Sequence, residues 1–250
     1  MNPMLPPLPN AGENAINAVD YGLHASGVTV GLSHDGETSL YVVSLRSLNA
    51  VAAFRADGDT AERTGGRGEL MWTIAAPQGG SGNVPSDFVF DADEDAFYNP
   101  HAPRLLDDGQ TLVVMDDGTD RPGCKQTVSD IGNTVVIGCF SRAVAYTLDF
   151  TTYTATLKWQ FAFPLNEKSE LVTEKSVDIY NNDGGAAAPL ENGNFIVEFG
   201  KIVHSGNDVE SGINTRVFEV NATSYVEGPS SDMIQASMEM PRAYWVDGQY

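Results

Sequence analysis

Positive charge is scarce in this sequence. Its 250 residues carry 14 Lys and Arg against 34 Asp and Glu, a formal net charge of −20. A body this acidic repels phosphate backbones and anionic membrane surfaces, so no nucleic acid and no membrane is expected as partner. Long apolar runs are also missing, and no stretch approaches the roughly 20 residues that cross a bilayer. Pro-rich Met1–Pro9 lacks the basic start and apolar centre of a secretory leader. Cysteine occurs only twice, as Cys124 and Cys139 within one glycine-bearing connection. No second pair exists to complete a zinc site, and neither a metal nor another cofactor is expected. Two readings of the pair stay open: a local disulfide clipping a long loop, which implies an oxidising compartment, or two free thiols.

Long stretches of helical apolar spacing are absent as well, and what stands in their place is β-like. With hydrophobic residues at 42% and charged residues at 19%, the chain has the apolar content of a sizeable core. Short alternating or β-branched runs predict strands at Thr38–Leu45, Thr111–Met115, Ala143–Leu148, Ala155–Phe161, Phe195–Phe199 and Arg216–Val220. Tight reversals are expected at Asp35-Gly36, Asp57-Gly58, Asp108-Gly109, Asp117-Gly118 and Asn192-Gly193. The expected class is all-β, an antiparallel protein built from hairpins.

The sequence also repeats itself. His101-Ala-Pro-Arg-Leu-Leu-Asp-Asp-Gly-Gln-Thr-Leu-Val resembles Gly185-Ala-Ala-Ala-Pro-Leu-Glu-Asn-Gly-Asn-Phe-Ile-Val, with a looser copy from Ser33 to Val43. Second hairpin pieces follow at Asn49–Phe54, Arg142–Tyr146 and Arg216–Val220, and two units close on an apolar strand around Trp72 or Trp159. A unit of two hairpins plus long loops is the grammar of a β-propeller blade, and about three blades are predicted, with a partial strand at Arg242–Val246. A propeller ring typically needs 4–8 blades. The expectation is therefore blades missing at the N-terminus, or a homodimer completing the ring. Residues 1–19 read as a linker or the remnant of an earlier element, and 20–250 as the blades. A twelve-stranded sandwich is the alternative architecture.

Chemistry-bearing residues are few. Of the four histidines, His34 and His204 sit in turn sequences and read as surface residues. His24 and His101 each precede the first strand of a predicted blade, where a propeller chain passes its central channel. Pro100 and Pro103 stiffen the backbone around His101. Arg46 stands within Val43-Ser-Leu-Arg-Ser-Leu-Asn49 in a chain with few cations, either as a partner of a surface carboxylate or as part of a site. Two imidazoles and a guanidinium would make a cradle for a tetrahedral oxyanion, with arginine forking onto its oxygens and histidine acting as nucleophile or proton donor. Asp91–Asp95 reads as a solvated acidic loop, with a calcium or glycan site as a weaker option. Asn221-Ala-Thr223 is a glycosylation sequon only in a host that glycosylates, and Gly65-Gly-Arg-Gly precedes a strand rather than the helix of a phosphate loop.

The run Asn99-Pro-His-Ala-Pro-Arg-Leu-Leu-Asp-Asp-Gly, continuing through Met115-Asp-Asp-Gly, Asp120-Arg-Pro, Ser141-Arg-Ala-Val-Ala-Tyr and Trp159, resembles the arylsulfate sulfotransferases that use no nucleotide donor. Asp20-Tyr-Gly-Leu-His-Ala-Ser, Ser44-Leu-Arg-Ser-Leu-Asn-Ala-Val and the ending Pro241-Arg-Ala-Tyr-Trp-Val are similar to further segments of that family. The resemblance runs from about Asp20 to the end. It implies a propeller transferase that moves a sulfuryl group from an aryl sulfate to a phenol through a sulfohistidine. His101 matches the histidine that becomes sulfated; His24 and Arg46 match the partners that bind sulfuryl oxygens and help the phenolate leave. Ser26 stands where the family has an asparagine that contacts substrate, and Asp117 replaces the asparagine of Asp-Asn-Gly. A carboxylate at 117 facing the site would weaken anion binding. A further family histidine from an earlier blade has no counterpart in residues 1–23, so an inactive fragment or a non-catalytic binding module is the alternative. A periplasmic or secreted location follows from the resemblance.

Overall fold

The structure, a computed structural model, describes residues 24–58, 66–77, 84–128, 134–137, 139–162, 180–181, 184–200, 202–203 and 216–221. The predicted linker 1–19, Asp20–Leu23, Gly65, His204, Thr223, Met233–Met240 and the closing segment Pro241–Val246 lie outside these residues. The described chain is all-β, with two single-turn 3₁₀ helices at Arg46–Leu48 and Asp93–Asp95. No helix among the described residues is long and apolar enough to cross a membrane.

In chain order the strands are β1 (Ala25–Leu32), β2 (Ser39–Leu45), β3 (Ala50–Arg55), β4 (Leu70–Ala75), β5 (Val89–Phe90), β6 (Pro100–Leu105), β7 (Thr111–Asp116) and β8 (Lys125–Val128). They continue with β9 (Thr134–Ile137), β10 (Arg142–Asp149), β11 (Thr154–Ala162), β12 (Tyr180–Asn181), β13 (Ala186–Pro189), β14 (Asn194–Phe199), β15 (Ile202–Val203) and β16 (Arg216–Asn221). The first sheet is the meander β1-β2-β3-β4, the second β6-β7-β10-β11 with β5 added parallel to β11, and the third β13-β14-β16. Hairpin β8-β9 and pair β12-β15 stand apart from these sheets. No sheet closes into a barrel among the described residues.

The apolar pattern explains how the sheets sit. Leu112 and Val114 of β7 and Val144, Tyr146 and Leu148 of β10 join Leu40, Val42, Val51, Trp72 and Ile74 of the first sheet in one core. Their alternates Val113, Met115, Ala143 and Ala145 join Phe195, Val197, Phe199, Phe218 and Val220 of the third sheet in another. The second sheet is thus covered on both faces, which is why β7 and β10 read as unbroken apolar runs rather than alternation. The first strands β1 and β6 lie against each other, as do β6 and β13. Segment Asp87–Phe90 stitches neighbours together: Asp87 donates its N–H to Thr73 O at 3.0 Å in the first sheet, while Val89 donates to Tyr153 O at 2.9 Å in the second.

Candidate active site

Strand β6 is an edge strand bonded only to β7, which is why it tolerates two prolines. Its pairing slips between His101, opposite Met115, and Arg104, opposite Val113, and Ala102 in the resulting bulge has φ +42°. A bulge of this kind redirects the side chains beside it, here His101. The bulge packs on Gly27 of β1, where a Cβ would lie 2.8 Å from Ala102 N, so only glycine lets the two strands approach this closely. Side chains of β1 then satisfy the free edge of β6. Ser26 Oγ donates to Pro100 O at 2.6 Å and lies 3.0 Å from Ser44 Oγ, and Thr29 Oγ1 donates to Pro103 O at 2.6 Å.

At the same end, β2 runs into the 3₁₀ turn that begins at Arg46. The N–H of Arg46 donates to His24 O at 3.0 Å, and Asn49, left-handed at φ +50°, closes the turn by donating its N–H to Arg46 O at 3.1 Å. Asn99, also at φ +50°, donates its N–H to Asn49 Oδ1 at 2.6 Å and its Nδ2 to Arg46 O at 3.2 Å. Asparagine suits such positions because its short polar side chain tolerates left-handed backbone. The two asparagines therefore bolt the Arg46 turn to the segment that leads into His101.

Both candidate side chains, His101 and Arg46, meet one carboxylate. Asp117 Oδ2 lies 2.8 Å from His101 Nδ1 and 3.8 Å from Arg46 Nε, and His101 Nδ1 is also 3.2 Å from Asn99 O. The Asp117 side chain is 0% exposed, and neither of its oxygens has an aligned hydrogen-bond partner among the described residues, so His101 at 2.8 Å is a close contact rather than a well-aligned bond. Burial pushes its carboxyl up to about 7, against the downward pull of His101 and Arg46 and with a further push from Asp116. Asp116 is paired differently. It accepts from Tyr98 N–H at 2.9 Å, Arg142 Nε at 2.8 Å and Arg121 Nη2. Behind Asp117, Ser141 Oγ donates to its carbonyl at 2.7 Å. Gly118, at φ +76°, passes so near the Phe140 carbonyl that a Cβ would strike it. Cys124 and Cys139 form a disulfide across the loop whose ends are these residues.

The structure thus brings Arg46 and His101 to one carboxylate and ties Ser26 and the backbone of His24 to the same end of the sheets. His34 stands away from them, exposed and stacked on Phe150 at a ring distance of 4.2 Å. Asn49 and Asn99 were not among the predicted site residues. Their signal in the sequence is an asparagine placed just before an apolar strand in two successive units. Asp117, where the family has asparagine, directs its carboxylate at His101 and Arg46. Among the described residues no group of three or more His, Cys, Asp or Glu is arranged to hold a metal ion.

A stack of antiparallel sheets with a buried histidine–carboxylate–arginine cluster at one end defines a candidate anion-handling site. The profile of the family described as Arylsulfotransferase (ASST) matches residues 30–241, and the chain belongs to this family. Arg46, His101 and Asp117 fall inside the matched span, whereas His24 and Ser26 precede it. No curated protein matches the chain.

Proposed function

We propose that this protein transfers a sulfuryl group from an aryl sulfate to a phenol, with His101 as the nucleophile. The observation that carries the reading is the meeting of His101 and Arg46 at Asp117, in a chain of this family, from segments far apart in sequence. In the first half-reaction an imidazole nitrogen of His101 forms a bond to sulfur as the S–O bond to the aryl group breaks. The electron pair leaves on the aryl oxygen, and His24 supplies the proton. In the second, the acceptor phenol gives its proton to His24, its oxygen bonds to sulfur, and the N–S electrons return to His101. Arg46 stabilises the sulfuryl oxygens where negative charge develops. Ser26 is read as a substrate-binding residue that also holds the start of β6. The substrates are small aryl sulfates and phenols, and a periplasmic or secreted location fits the disulfide.

The same reading makes the sheets blades of a β-propeller. In support, three meanders follow one another with their first strands adjacent, and the middle one is covered on both faces, which a two-layer sandwich does not provide. The far face of the first sheet is apolar across Val30, Tyr41, Phe54 and Leu70, with Val28 63% and Val30 68% exposed. This suits a surface that meets another blade, from N-terminal chain or a second copy. The second reading, a binding module without catalysis, draws on Asp117, a carboxylate inside an anion site.

Incubation with 4-nitrophenyl sulfate and a phenol is expected to release nitrophenolate. Mass spectrometry in the absence of acceptor is expected to find sulfate on His101, and His101→Ala should abolish both. Turnover that survives His101→Ala, or a wild-type protein that neither turns over nor becomes sulfated, overturns the proposal.

A further inference from the structure

We propose that Asp117 is the positioning residue of this site: it holds a proton on Nδ1 of His101, so that Nε2 is the nitrogen offered to sulfur. The inference rests on the sulfuryl-transfer reading and extends it to a residue with no role there. Nδ1 of His101 faces two groups, Asp117 Oδ2 at 2.8 Å and the Asn99 carbonyl at 3.2 Å. A carbonyl only accepts, and an ionised carboxylate only accepts, so Nδ1 between them is the donor. An imidazole with its proton on Nδ1 carries its lone pair on Nε2. The contact also acts on the reaction itself. When Nε2 forms its bond to sulfur and the aryl oxygen departs with the S–O electron pair, Nδ1 keeps its proton and the ring becomes positive. A buried carboxylate 2.8 Å away stabilises that charge as it appears.

The bulge at Ala102 and the bolt between Asn49 and Asn99 fix the ring from one side, and the Ser141 bond to the Asp117 carbonyl fixes the carboxylate from the other. Charged and titratable groups facing Asp117 are His101 from β6, Arg46 from the turn after β2 and Asp116 on its own segment. Because burial lifts the Asp117 carboxyl to about 7, the anionic form that holds Nδ1–H prevails above neutral pH. Capture of the sulfuryl group should then rise through that region.

The test is Asp117→Asn, which keeps the shape and removes the charge. Nitrogen-15 NMR of the imidazoles, simple in a chain with four histidines, is expected to show His101 with Nδ1 protonated at alkaline pH in the wild type. A wild-type His101 protonated on Nε2 overturns the proposal. This readout needs no turnover, so it decides the role of Asp117 even if the sulfuryl-transfer reading fails. As for turnover, the variant carries the family's asparagine, whose amide oxygen still accepts from Nδ1–H, so it should stay active while losing the charge that answers the imidazolium. Its KM for the donor should be no higher, and the rise near pH 7 should be lost. Equal rates with an unchanged pH profile would also sink the idea. A merely structural role would instead lower stability and move KM and kcat together.

Discussion

Asp117 is a residue whose proposed role and whose effect on stability pull in opposite directions. Its folded carboxyl titrates at about 7 rather than at 3.8, chiefly because burial disfavours the charge. Between about pH 4 and pH 7 the folded chain therefore holds a proton that the unfolded chain has already released. Stability falls as pH rises across that window, and the full penalty, on the order of a few kcal/mol, is present above it. Asp117→Asn never carries this charge. Its melting temperature should match the wild type near pH 4 and exceed it by several degrees near pH 8, as thermal unfolding across the range would show. A wild type that melts higher at pH 8 would mean that pairing with His101 and Arg46 outweighs the desolvation. That His101 and Arg46 would meet was legible in the sequence because cations are rare and prolines bracket the histidine. The raised carboxyl was not, because desolvation is produced by the tertiary packing of three separate segments around one side chain.

At the scale of elements, the central strands β7 and β10 and the hairpin glycines could be read directly, because both faces of the second sheet are buried and its strands are continuously apolar. Strand β6 could not. Pro100 and Pro103 argue against a strand, and only the free edge and the bulge over Gly27 make one. Asp117-Gly118 likewise read as a hairpin turn and is instead the exit of β7 into the site. The loop it opens runs to Ser141 and is closed by the Cys124–Cys139 bond, with a sequence separation of 15. Closing a loop of that size limits the unfolded chain by about 3 kcal/mol. The double substitution of both cysteines by serine should therefore lower unfolding stability by roughly 2–4 kcal/mol in urea titration. It should also reduce kcat, since the loop ends position Asp117 through Ser141 and Phe140. An unchanged urea midpoint would show that the packing of β7 against β10 alone holds the loop ends together.

For the whole molecule the dominant quantity is a formal net charge of −20 beside a site that must accept an anion. The arginines near that site project little positive field. Arg46 lies close to Asp117, while Arg121 and Arg142 both converge on Asp116. An approaching aryl sulfate thus meets repulsion from the body at long range and attraction only once it is among the site residues. Salt separates the two. Raising ionic strength from about 0.01 M to 0.15 M shortens the Debye length from about 30 Å to about 8 Å, which removes the distant repulsion but leaves buried contacts nearly intact. For an anionic donor kcat/KM should therefore increase several-fold over this range, with the change in KM rather than in kcat, because the reacting groups are buried. Steady-state rates in a sodium chloride series would measure it. A decrease would mean that the mouth of the site is electropositive at long range, with cations from other parts of the assembly gathered around it.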